Sequence, residues 1–266
     1  VPEAKPGFLT FTRIGFAARG IMYGLVAYLA LRLGRSEDAG GALAYLGSGG
    51  GRAVLGVMAL GFAAYGLWRL ADAGLDLEGR GREWKDLAIR AGGAGSGIVH
   101  LGLALTAAKL ALGWSHGGGG ASRKAEGGAA MALHLPFGDW LLLVAAAVCA
   151  AVAVGQFVKA ARRRFVCHLR PDVRGRWWVL AAGCAGYAAR GAVFAAVAWL
   201  LYRSGTDRSA GEAGGLGDAL RSLSGPLRLA VASGLGVFGA YCLIEAWFRV
   251  LPDPAFKQRL KQAAGK

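Results

Sequence analysis

Apolar residues in this chain run in long unbroken stretches instead of alternating with polar ones. Ala91 to Ala108 is 18 residues without Asp, Glu, Lys or Arg, and Trp140 to Val158 is 19. Ala53 to Trp68 and Leu229 to Ile244 are 16 each. Trp177 to Tyr202 is 26 residues with one charge, Arg190, and Phe8 to Leu31 carries only Arg13 and Arg19. A helix that crosses a bilayer needs about 20 mostly apolar residues. The pattern therefore predicts six membrane-spanning helices, near 8–33, 51–73, 88–113, 138–160, 177–202 and 227–250. No basic segment followed by an apolar core and an A-x-A site stands at the N-terminus, so no cleavable signal peptide is expected.

Composition agrees with an all-α membrane protein. Of 266 residues, 55% are hydrophobic and 18% charged, against about 25% charged in soluble domains. The mean hydropathy is +0.41. The 45 glycines sit among Ala, Leu and Val with no period of three, which excludes collagen. The net charge is +15. Six spans place the termini and the second and fourth loops on one side. That side holds 19 Lys and Arg residues against 9 on the other. The positive-inside rule then puts both termini in the cytoplasm. The basic residues flank apolar spans, which suits anionic lipid headgroups at the cytoplasmic face and argues against nucleic acid. Most tryptophans fall at span ends, as in an aromatic belt. Cys149, Cys167, Cys184 and Cys242 form no CxxC, and neither a disulfide nor a metal cluster is expected.

The chain repeats itself. GFAARG at Gly15–Gly20 returns as GYAARG at Gly186–Gly191. Arg13 to Gly20 aligns with Arg90 to Gly97, so that Ser96 takes the place of Arg19. After each odd-numbered span comes a short outer motif, in ALAYLGSGGG (42–51), MALHLPFG (131–138) and DALRSLSGP (218–226). The unit is helix, amphipathic outer segment, helix. It occurs over residues 8–73, 88–160 and 177–250, followed by a cytoplasmic tail, 251–266, in one integral membrane domain. Three parallel copies predict a pseudo-threefold bundle about the membrane normal.

Arg13, Gly15, Ala18, Arg19 and Gly20, with Gly186, Ala189, Arg190 and Gly191, carry a resemblance. A tandem triplicate of two-helix units with R-x-G-x-A-A-R-G near its head resembles the bacterial domain of unknown function 1206 family, over about residues 8–250. The second repeat departs from the pattern at Ser96, and Cys184 stands where Arg13 would be. The resemblance implies six helices. It implies no activity, cofactor or catalytic residue.

Arginine within a span is costly, by at least about 2.5–3.5 kcal/mol at mid-membrane. From Arg190 to Tyr202 is 12 residues, or about 18 Å, which leaves Arg190 about 12 Å inside a hydrocarbon core of about 30 Å. A partner is expected. Glu245 is the acidic residue of the last span, and the reading pairs Arg190 with it. For Arg19 the expected partner is Glu245, Asp72 or a lipid phosphate. Both arginines read as assembly clasps or headgroup anchors, with a substrate-anion or gating role as the alternative. Gly20-x-x-x-Gly24, Gly93-x-x-x-Gly97 and Ala232, Gly236, Ala240 read as helix-packing seams.

His100 lies deep in the third span. The repeat aligns it with Tyr23 and Phe194, which predicts a ring of the three at the axis. It reads either as a neutral histidine bonded to Ser96 or another backbone group, or as a proton relay, ligand or gate. Enzymatic signals are thin. Gly113-Trp-Ser115-His-Gly117 matches G-x-S-x-G, but a spanning helix precedes it where a strand is required. There is no P-loop and no H-E-x-x-H. The chain therefore reads as non-enzymatic, without a cofactor. Two functions remain: an accessory or scaffold subunit of a larger membrane complex or of lipid, and a small channel or transporter along the axis.

Overall fold

The computed structural model describes residues 6–76, 81, 83–114 and 121–250. The tail and Ser115 to Gly120 lie outside the described residues. Six long helices form where the apolar runs lie: α1 Pro6–Arg32, α3 Arg52–Leu75, α4 Trp84–Ala111, α6 Gly138–Arg162, α8 Trp177–Thr206 and α10 Gly225–Phe248. All six contain stretches long and apolar enough to span a membrane. Shorter helices α2 Ala39–Ser48, α5 Ala121–Leu133 and α9 Leu216–Ser222 follow the first helix of each repeat, and α7 Pro171–Arg174 precedes α8. The Asp38 carboxylate caps α2 by accepting from the Gly41 amide at 2.9 Å. Among the described residues there is no strand, only an isolated bridge between Leu169 and Arg249.

The long helices pack in chain order. α1 lies against α3, α3 against α4, α6 against α8, α8 against α10, and α10 closes back on α1. The contacts between successive repeats (α3 with α4, α6 with α8, α10 with α1) are the most extensive in the molecule. This is the arrangement three parallel repeats require around one axis. One position departs from symmetry: α4 and α6, the two helices of the second repeat, barely meet. The ring is open there.

Equivalent residues make equivalent contacts. Gly20, Gly97 and Gly191 each follow directly on Arg19, Ser96 or Arg190. At Gly20 a Cβ would lie 2.8 Å from the Gly239 carbonyl of α10, and at Gly97 2.9 Å from the Gly66 carbonyl of α3. At Gly191 it would meet the Phe157 ring of α6 at 2.8 Å. The missing side chain is what lets each helix approach the preceding repeat. The seams are shorter than the spacing suggests. A Cβ at Gly93 would meet nothing within 4 Å and Ala240 is exposed, whereas Gly24 stays in its seam, its amide nitrogen 2.9 Å from where a Cβ at Gly239 would lie. On α10 it is Gly236 and Gly239 that face α1.

Much of the helix surface away from these contacts is apolar and exposed, including Val57, Leu60, Ile98, Leu105 and Val154, as a lipid-facing surface should be. Trp114, Trp140, Trp177, Trp199 and Trp247 are exposed. Trp68 is not part of that belt. It is buried against Phe16 and Tyr65.

Candidate functional site

Arg19 and Arg190 each stand thirteen residues after the first residue of their helix, Pro6 and Trp177. That is about 20 Å along the axis, near mid-helix in both. On α8, Gly191 and Gly205 meet α6, while Gly186 and Ala189 meet α10. Arg190 falls on the strip between these two contact faces. Its guanidinium carbon lies 5.7 Å from the ring of Tyr23 on α1, a helix that is not its neighbour. Arg190 therefore points into the ring of helices.

The interior is aromatic. Arg190 lies 4.8 Å from the Phe238 ring centre and 5.8 Å from that of Phe194. Arg19 lies 4.9 Å from Tyr65, 5.7 Å from Phe16 and 5.8 Å from Phe238. The two cations thus share the Phe238 ring. Tyr23 packs edge-on against Phe238 at 5.0 Å, and Tyr187 does so at 5.3 Å. Cation–π attraction strengthens when the cation is desolvated, which is the situation of Arg19 at 7% exposure.

The expected ion pairs are not the ones formed. Glu245 accepts from Nη1 of Arg249, the residue that caps the end of α10, at 2.9 Å, and both side chains are buried. Arg190 makes no ion pair among the described residues, because the Glu245 carboxylate is taken by a guanidinium that needs no second helix to reach it. Arg19 bonds neither Glu245 nor Asp72. It donates from Nη1 to the Tyr65 hydroxyl at 2.9 Å. Arg69 donates from Nε to the same oxygen at 3.3 Å and lies 3.8 Å from Asp72. Arg249 is 4.6 Å from Phe16 and 5.8 Å from Trp68. Among the described residues, four guanidiniums, of Arg19, Arg69, Arg190 and Arg249, share this region with two carboxylates, Asp72 and Glu245. The Nε atoms of Arg19 and Arg190 are buried with no hydrogen-bond partner.

His100 does not join a ring with Tyr23 and Phe194. Those two flank Arg190, whereas His100 packs 4.5 Å from Tyr65 and 6.0 Å from Phe62. Its partner is Ser96, through the backbone oxygen, at 2.7 Å from Nδ1. A carbonyl oxygen only accepts, so Nδ1 carries a hydrogen. Ser96 occupies the place of the arginines and supplies no cation there. No group of three or more His, Cys, Asp and Glu residues suited to a metal occurs among the described residues.

Sequence reasoning missed Tyr65 and Phe238. They follow Arg19 and Arg190 at nearly the same distance along the chain and occupy matching places on α3 and α10. Their type gave no sign of a role, since aromatic residues in a span pass as ordinary core.

Comparison with known proteins supports the repeat reading. The model of the Domain of Unknown Function (DUF1206) matches residues 14–76, 91–163 and 185–249. The three starting points put Arg19, Ser96 and Arg190 at the same position of each repeat. The chain is also 29% identical over 260 residues to a protein described as uncharacterized protein YxxB from Bacillus subtilis (strain 168), with 93% of each chain covered. No solved structure matches the chain. With three copies of its repeat together taking in most of the sequence, this polytopic membrane protein belongs to the DUF1206 family.

Proposed function

We propose that this protein is a non-enzymatic accessory or scaffold protein of the bacterial inner membrane, with both termini cytoplasmic, that packs into a larger membrane complex and contacts anionic lipid. The observation that carries this reading is the filling of the axis. Tyr23, Phe194, Phe238 and Tyr65 close around the two interior arginines, so aromatic rings occupy the place a solute path would need. The parting of α4 and α6 adds to it. Every other neighbouring pair of long helices in the ring is packed, and the remaining gap is where a helix of another subunit would complete the circle.

The test is purification from the native membrane in a mild detergent, with native mass spectrometry of the particle. A defined membrane partner at fixed stoichiometry, lost when bulky polar residues are placed on the facing sides of α4 and α6, is the expected result. A lone particle in repeated preparations overturns the reading. The second reading, a small channel or transporter, draws on one observation: among the described residues the interior has more guanidiniums than carboxylates, which would favour an anion as the solute.

A further inference from the structure

We propose that the interior of the helix ring holds one phosphate group, bound between the guanidiniums of Arg19 and Arg190. Charge is the first argument. The two carboxylates of the interior have arginine partners of their own, Asp72 with Arg69 and Glu245 with Arg249. Arg19 is buried and Arg190 is partly buried, neither has an ion-pair partner among the described residues, and a bound anion would supply the counter-charge.

Geometry is the second. Arg19 and Arg190 approach one ring, Phe238, at 5.8 and 4.8 Å. The separation of the guanidinium carbons therefore cannot exceed about 10.6 Å, the sum of 5.8 and 4.8 Å, and closing both forks on one phosphate is the arrangement proposed. Each keeps a buried Nε donor unused. A guanidinium presents its N–H groups as a planar fork that matches two oxygens of one oxyanion, so the site suits phosphate better than a halide.

Access is the third. Arg190 is only half-buried, and it faces an interior that opens between α4 and α6. Lys159 of α6 extends this positive region, with Nζ 6.0 Å from the Tyr187 ring centre, and Tyr187 in turn packs on Phe238. The same chemistry is offered by the phosphodiester of an anionic phospholipid and by free phosphate. This site does not depend on the scaffold reading. A lone particle that takes phosphate would remove that reading and leave the site intact.

The test uses the full chain in a neutral detergent, stripped of lipid, with thermal unfolding followed by tryptophan fluorescence. Inorganic phosphate is titrated against chloride at equal ionic strength, and phosphatidylglycerol against phosphatidylcholine in mixed micelles. A saturable rise in the unfolding midpoint is expected with a phosphate-bearing anion and not with chloride or phosphatidylcholine. A rise with inorganic phosphate identifies a free anion, and a rise with phosphatidylglycerol alone identifies a lipid headgroup. Arg190→Gln is expected to weaken the apparent affinity at least tenfold. Arg190→Lys, which keeps the charge and loses the fork, should weaken it at least threefold. Absence of a saturable rise with both probes overturns the proposal, as does unchanged affinity in Arg190→Lys.

Discussion

Arg19 donates to the Tyr65 hydroxyl at 2.9 Å, whereas its counterpart Arg190 lies against Phe238, a ring with no hydroxyl to offer. The two guanidiniums stand at nearly the same distance from their rings, 4.9 and 4.8 Å. The repeat has kept the stacking in both places and the hydrogen bond in one. Tyr65 serves two cations, since Arg69 also donates to its oxygen.

Tyr65→Phe removes that shared acceptor and keeps the ring. Two guanidinium donors lose a partner, that of Arg19 in a buried site. A loss of about 1–3 kcal/mol is expected, read as a lowered midpoint in unfolding by a denaturing detergent. An unchanged midpoint would show that the hydroxyl contributes nothing.

Glu245 should couple to Arg249 and not to Arg190. Double-mutant cycles with Glu245→Gln, Arg249→Met and Arg190→Met separate the two. The Glu245 and Arg249 pair, in contact at 2.9 Å, is expected to show a coupling of about 0.5–3 kcal/mol. The Glu245 and Arg190 effects should add. Arg249→Met alone should cost about 3–5 kcal/mol, because it strands a buried carboxylate.

The α1–α10 crossing closes the ring between the first and third repeats. A Cβ at Gly239 would lie 2.8 Å from the Gly20 carbonyl and 2.9 Å from the Gly24 amide nitrogen. Backbone on both sides leaves no flexible group to give way. Gly239→Ala is expected to destabilise by about 1–3 kcal/mol, and Gly239→Val by more. Gly92→Ala, at a position where a Cβ would meet nothing within 4 Å, serves as the control and should be tolerated.

His100 should be a single tautomer, with the hydrogen on Nδ1 held by the Ser96 carbonyl at 2.7 Å. Nitrogen NMR of ring-labelled protein should place Nε2 in the unprotonated range and Nδ1 in the protonated one. The reverse assignment would mean that His100 takes its partner elsewhere.

How far the sequence led can be judged from these residues. The six spans were readable because the bilayer allows one thing only, long apolar helices, and the chain states it without ambiguity. The repeat was readable because GFAARG and GYAARG preserve a site: the arginine that faces inward and the glycine after it that touches the preceding repeat. The partners of those arginines were not. A charge in a span suggests a carboxylate, and Glu245 was the obvious one, yet Arg249 sits four residues away at the C-cap of the same helix and needs no folding of the ring to reach it. Aromatic partners such as Tyr65 and Phe238 leave no mark in a pattern already rich in aromatics. The opening between α4 and α6 was also out of reach, since a span carries no signal for the neighbour it lacks.

The most direct measurement is solute flux through the purified protein in liposomes, with anions, cations and small neutral solutes tested in turn. An axis filled by Tyr23, Phe194, Phe238 and Tyr65 should give no flux above protein-free liposomes for any of them. Flux of an anion that is saturable and is abolished by Arg190→Gln would contradict the scaffold account and make the interior arginines a transport site.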